Sequence, residues 1–118
     1  MDKQKKAYLI NAEARTITEV TVGPYTDIYP LLGCDTFTCV GLEDEDTLYV
    51  DDEGLLKPQM HFIMYEGYPE PLAGNGLVMG TDSEGESIDP KMSLEDLKSR
   101  VTFYNVFQIR AMAKAGKF

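Results

Sequence analysis

Tryptophan is absent from this 118-residue chain, histidine occurs once and cysteine twice. Each scarcity removes a class of chemistry. A zinc site needs three or four Cys or His ligands, and Cys34, Cys39 and His61 are the whole supply, with no CxxC or HxxxH spacing. Two cysteines do not make a disulfide framework. Five residues apart on one strand, they would face opposite sides of a sheet and fail to pair. They read as reduced thiols in a cytoplasmic protein. Nucleophilic catalysis needs a base beside the nucleophile, and a lone His61 at the start of an apolar strand reads as structural. No run approaches the roughly 18 apolar residues of a membrane span. The opening MDKQKKAYLI has too short an apolar stretch for a signal peptide.

Positive charge is also scarce. Lys and Arg total 11 against 20 Asp and Glu, a formal net charge of -9, which disfavours a nucleic-acid or anionic-membrane ligand. The imbalance is uneven along the chain. Residues 7–96 hold 19 acids against Arg15, Lys57 and Lys91, whereas residues 97–118 hold five cations and no acid. The acids crowd most densely at Glu43, Asp44, Glu45, Asp46, Asp51, Asp52 and Glu53. Such a cluster is either a solvating surface or a face that meets a basic protein partner, in the manner of a mimic of a nucleic-acid backbone. The cluster is not an EF-hand, because the loop needs glycine at position six and glutamate at position twelve. Counted from Asp82, glycine falls at position four and Ser93 at twelve; counted from Asp44, Tyr49 stands at six. No metal and no cofactor is expected.

What remains is ordinary globular composition, 43% hydrophobic and 26% charged, enough for one domain. Residues 7–11 and 15–22 read as a hairpin, stopped by Gly23-Pro24. Residues 25–32 read as a short helix with Thr26 as N-cap and Gly33 as C-cap, Pro30 being tolerable only in its first turn. Strands are predicted at 35–42, at Leu48–Val50, at 61–65 and at 77–81. Gly74-Asn75-Gly76 precedes a strand rather than a helix, so it is no dinucleotide loop. It reads as a turn with Gly76 at positive φ, and otherwise as a place where a ligand or partner backbone comes close. Tyr25, Tyr29, Tyr49, Tyr65 and Tyr68 read as half-buried strand residues, with stacking on a partner as the alternative.

Ser93 caps a helix with Glu95 and Asp96 in its first turn. Leu94, Leu97, Val101 and Tyr104 recur at helical spacing, although VTFYNVF is rich in β-branched and aromatic residues and admits a break or a strand. The fold class that follows is α+β. It is a single domain over 1–118 with a mostly antiparallel sheet of about six strands, a short early helix and a C-terminal helical region. The core spans about 7–102, followed by a basic extension over about 103–118. Phe103, Val106, Phe107, Arg110 and Met112 add apolar and basic surface beyond the predicted helix stripe and mark an expected homo-oligomer interface.

The segment YPLLGCDTFTCVGLEDEDTLYVDDEGLLK, followed by PLAGNGLVMGTDSEGE and a helix opening SLEDL, resembles a family of small proteins catalogued as a domain of unknown function. Gly33-Cys34-Asp35, Val50 to Lys57 and Gly74 to Gly80 carry the resemblance, which covers roughly residues 7–102. The resemblance implies a setting in bacteriophages, plasmids and other mobile elements, and no catalytic residue or cofactor. The expectation is therefore a non-enzymatic, cytoplasmic binding protein acting on a host defence or regulatory component. Its contacts would be Glu43, Asp44, Asp46, Asp51, Asp52 and Glu53, with Gly74, Asn75 and Gly76. The alternatives are an oligomer that sequesters a small nucleotide signal, using Arg15, Lys57, Lys91, Lys98, Arg100 or Arg110, and a small enzyme.

Overall fold

Lys5–Asn11 and Thr16–Val22 alternate side chains between two environments, the period of a strand. They pair antiparallel as β1 and β2 with Ile10 opposite Ile17. The computed structural model describes residues 4–23, 25–42, 45–53, 60–84 and 86–116. A 3-10 turn at Tyr25–Asp27 leads into α1 (Ile28–Leu32), then β3 (Phe37–Gly41) and β4 (Asp46–Asp51). Next come β5 (His61–Tyr65), β6 (Leu72–Ala73), β7 (Gly76–Thr81) and β8 (Ser87–Ile88). The chain ends with α2 (Leu94–Arg100), β9 (Val101–Asn105) and α3 (Val106–Lys114). Sheet A has six strands in the order β2-β1-β7-β4-β3, with β8 beside β7; sheet B runs β6-β5-β9. All pairings among the described residues are antiparallel. The architecture is α+β, as the sequence pattern predicts.

Sheet A is covered on both faces, which explains the uninterrupted apolar run of β7. Val78 points with Tyr8, Ile10, Leu48 and Val50 into a cluster closed by Ile63 and Tyr65 of sheet B and Leu97 of α2. Leu77 and Met79 point the other way, into a cluster with Ala7, Val22, Cys34 and the α1 residues Ile28 and Leu32. Ile10, Leu48, Ile63, Val78 and Leu97 retain no exposure, and each such side chain contributes about 1.5–3 kcal/mol. Tyr29, Phe37 and Tyr49 extend the second cluster, with ring centroids 5.1 and 5.5 Å apart in sequence. Two of the tyrosines considered for stacking on a partner are therefore engaged inside the protein, and Tyr65 is buried.

Several local expectations change. The early helix begins at Ile28, and Thr26 is not its cap; the Asp27 carboxylate instead accepts the Gly23 N–H at 3.0 Å. Gly33 closes the helix in the left-handed region at φ 67°. Leu94, Leu97, Val101 and Tyr104 do not share a helix face. The helix stops at Arg100, and Val101–Asn105 pairs with β5, Phe103 opposite Ile63 and Tyr104 opposite Phe62. The Arg100 carbonyl, left over by the helix, accepts the Glu66 N–H at 2.8 Å and so starts that pairing. Asn105 then opens α3 through a capping box. Its side chain accepts the Gln108 N–H at 2.9 Å, while the Gln108 side chain accepts the Asn105 N–H at 2.8 Å. The boundary drawn near residue 102 thus falls inside a paired strand.

The acids also divide. Asp46 is 1% exposed. Its carboxylate accepts the backbone N–H groups of Lys91 and Met92 at 2.8 and 2.9 Å. The Tyr8 hydroxyl donates to the Met92 carbonyl at 3.0 Å, and the Asp89 carboxylate accepts the Lys6 N–H at 2.7 Å. Asp46 lies opposite Gly80 on β7, and a Cβ at Gly80 would collide with the Asp89 carbonyl oxygen. The segment entering α2 therefore rests directly on the sheet and is fastened there by one buried carboxylate. Asp46→Asn keeps the shape but turns an amide toward a donor. We expect it to cost about 1–3 kcal/mol, read as a lower urea midpoint. The exposed Asp52→Asn should stay within about 0.5 kcal/mol of the parent.

Candidate binding groove

The β3 edge of sheet A stands apart from the loop that joins β5 to β6, and the space between them is a groove. Gly67 takes φ 90° in the turn after β5, and the Tyr68 N–H donates to the Tyr65 carbonyl at 3.0 Å. That reversal brings Tyr68 to face Val40. One depression of about 410 Å³ has Val40, Val50 and Leu72 as apolar floor, with Tyr68 and Pro71 as wall and Asp51, Asp52 and Glu70 among its lining. A second, of about 220 Å³, continues past Val40 and Tyr68 toward Leu42, with Glu66 at its side. Among the described residues, no Lys or Arg lines either part. Asp51 is half-buried, while Asp52, Glu66 and Glu70 are exposed. A carboxylate-rimmed trough with an apolar floor suits side chains that pair a hydrocarbon stem with a cationic head.

The residues expected to form a site are distributed as follows. Asp51, Asp52 and Glu53 sit where β4 ends and turns, with the Asp51 carboxylate accepting the Glu53 N–H at 2.9 Å. Asp46 is removed from the acidic face by its burial, a correction to the expected cluster. Glu43 and Asp44 lie outside the described residues. Gly74 takes φ 84°. The Asn75 side chain accepts the Ala12 N–H at 3.0 Å and donates to the Leu31 carbonyl at 3.4 Å, tying the β1–β2 turn to α1. Gly76 does not take positive φ. It is required because a Cβ there would meet Leu48 Cδ1 at 2.9 Å and Ile63 Cδ1 at 3.2 Å. What approaches that glycine in the structure is the core between the two sheets.

At the C-terminal end, Phe103 is half-buried and packs against the first core cluster. Val106 and Met112 are half-buried, Arg110 is exposed, and Phe107 is 65% exposed. Phe103 also lines a cleft of about 430 Å³ with Arg15, Thr16, Ile17, Thr18 and Lys98. Arg15 occupies the left-handed region at φ 57°.

Glu66, Tyr68 and Glu70 of the groove were not among the expected site residues. The one signal for them is the pair of acids in EGYPEP, which shows only once β5 and β6 fold that loop against β3.

The buried thiol of Cys34 lies apart from His61. Cys34 is buried in the cluster beneath α1, on the face of sheet A away from sheet B, which carries His61. Cys39 is an exposed free thiol on β3 whose pKa is raised by burial, the direction opposite to that of an activated nucleophile. Among the described residues, no group of three or more His, Cys, Asp or Glu is placed to hold a metal ion. No helix there is long and apolar enough to cross a membrane.

Similar proteins add a family. An uncharacterised protein, y4iR, of Sinorhizobium fredii is 31% identical over 93 residues, covering 76% of this chain and 58% of its own length. Protein PsiB of Rhizobium leguminosarum bv. phaseoli is 29% identical over 70 residues, covering 59% of this chain and 52% of its own. The chain thus spans a little over half the length of these relatives. No solved structure matches it. Residues 5–102, from β1 into β9, match a family described as a domain of unknown function (DUF3846), and the chain belongs to that family.

Proposed function

We propose that this protein is a non-enzymatic binding module that holds a basic protein partner in the groove between β3 and the β5–β6 loop. The partner is a host defence or regulatory component, the module acts in the cytoplasm, and a mobile element supplies it. The observation that carries the reading is the lining of the groove: an apolar floor, four acidic residues from two separate segments, and, among the described residues, no cation. Carboxylates brought together by the fold repel one another, and a bound cation relieves that repulsion. The apolar floor supplies the contact area that charge alone does not.

A quadruple variant, Asp51→Asn, Asp52→Asn, Glu66→Gln and Glu70→Gln, keeps the shape and removes the charge. The probe is a fluorescein-labelled peptide rich in Lys and Val, with a Glu and Val counterpart. We expect the basic peptide to bind the parent in a salt-sensitive manner and the variant about 4-fold or more weakly, since exposed pairs contribute about 0.2–1 kcal/mol each. Equal binding to both proteins, unchanged by salt, would contradict the reading.

A second reading has its own observation. Arg15 and Lys98, from segments far apart in the chain, line one cleft beside the ring of Phe103, a combination suited to the phosphate and base of a small nucleotide. Phe107 stands exposed on α3, a helix with no fully buried residue and two cations, Arg110 and Lys114. In this reading copies join through α3 and sequester the nucleotide. A cut after Asn105 tests the joint, whereas a cut at Thr102 would remove most of β9 from sheet B. Light scattering at micromolar concentration should show an oligomer for the full chain and a folded monomer after the cut. A monomeric full chain would refute self-association.

A further inference from the structure

The groove has β3 as one bank, and β3 is the last strand of sheet A. The direction of its hydrogen-bonding groups follows from two bonds that bracket it. The Leu42 N–H donates to the Asp46 carbonyl at 2.8 Å, and the Asp52 N–H donates to the Thr36 carbonyl at 3.2 Å. In an antiparallel pair, residues that exchange bonds with the neighbour alternate with residues whose N–H and C=O point away. Thr36 and Leu42 belong to the bonded set, so Thr38 and Val40 do too, opposite Val50 and Leu48. Phe37, Cys39 and Gly41 therefore aim three N–H and three C=O groups outward. Among the described residues, no strand pairs with that side. Edges are ordinarily guarded by lysine, proline, a bulge or an inward charge, whereas β3 reads FTCVG and carries no charge and no proline.

The geometry points to strand addition: a basic, extended segment of the partner pairs with β3 through Phe37, Cys39 and Gly41 and lays every second side chain into the groove. This rests on the reading of the groove as a site for a basic partner and specifies how that partner is held. Main-chain bonds to an edge provide affinity in this mode, and pockets for alternate side chains provide selectivity. On the groove side the added strand meets Thr38 and Val40, with Asp52, Glu66 and Glu70 at the rim. Lysine or arginine fits there, stem on Val40 and Tyr68 and head among the carboxylates. On the other side it runs past Phe37 and Cys39, where β-branched residues fit a pleated surface. Charge also selects against a second copy at this edge, since two such rims would face each other.

The test uses the full-length chain, labelled with nitrogen-15, and a capped seven-residue peptide alternating Lys and Val. Two further peptides carry N-methyl groups on one or the other alternate set of backbone nitrogens. Without peptide, the amides of Phe37, Cys39 and Gly41 should exchange with solvent freely. At saturating peptide their exchange should slow about 10-fold or more, while those of Thr38 and Val40, already bonded to β4, keep their rates. One methylated peptide should lose binding about 10-fold or more, and the other should keep it. Slow exchange of the three amides in dilute, peptide-free protein would overturn the inference, because the edge would already be occupied. Protection that grows with protein concentration alone would overturn it in favour of a second copy. Salt-sensitive binding that leaves the three amides unprotected would overturn strand addition and leave the acidic groove standing. Protection that persists in the charge-neutralised variant would support strand addition and remove the carboxylates from the account. No binding of any peptide at about millimolar concentration would overturn both.

Discussion

Two backbone amides, those of Lys91 and Met92, belong to the segment that leads into α2, and one buried carboxylate receives both. Much of the molecule depends on that contact. The carboxylate belongs to Asp46 at the start of β4, so the strand beside the groove and the helix behind the core are fixed by the same side chain. Gly80, opposite it, has no Cβ and thereby leaves room for the Asp89 carbonyl. Tyr8 closes the arrangement from β1. A buried, fully bonded carboxylate is costly to disturb, because removing its partners strands a charge away from water. Leu97 of α2 is carried with it into the cluster that joins the two sheets.

The same strand separates two uses of acidity. Asp46 is consumed by the fold, while Asp51 and Asp52, at its far end, are among the residues that line the groove. Spacing along the chain does not reveal this division, because EDEDTLYVDDE is uniformly acidic around an apolar centre. Only the pairing of β4 with β7, which places Asp46 beneath the loop entering α2, decides which carboxylate loses its water. Glu66 and Glu70 show the complementary case. They are remote from the dense cluster in sequence and reach the groove because Gly67 reverses the chain and β6 returns to pair with β5.

The strands of sheet A were legible because alternation is a local property and survives into the fold; β1, β2, β4 and β7 fall where the pattern puts them. In the C-terminal region the Ser93-capped helix forms as the pattern predicts, and VTFYN takes the strand alternative rather than continuing the helical stripe, because two periods compete there. Leu94, Leu97, Val101 and Tyr104 keep helical spacing, but Val101, Phe103 and Tyr104 are strand formers with an edge to pair with, that of β5. The NVFQ capping box at Asn105 then starts a separate helix. The two-residue strands β6 and β8 are set by their neighbours and leave no mark in the sequence. Gly76 was recognisable as a glycine with a purpose, yet its purpose is contact between sheets rather than an unusual φ. The groove itself was half legible: the acids of β4 were evident, the opposite bank was not.

These points place the candidate site on a surface that is built rather than incidental. β3 is held against β4, β4 is anchored through Asp46, and the far bank hangs from sheet B, which shares a core with sheet A. The trough is therefore positioned by the same contacts that stabilise the domain. The measurement that reaches this dependence most directly is native-state amide exchange at Lys91 and Met92. If the Asp46 carboxylate holds both, their amides open only with the whole domain and exchange as slowly as those of Leu77 and Val78 in β7. Exchange at the rate of an unprotected loop would show that the carboxylate does not hold them, and the account would lose the contact on which it rests.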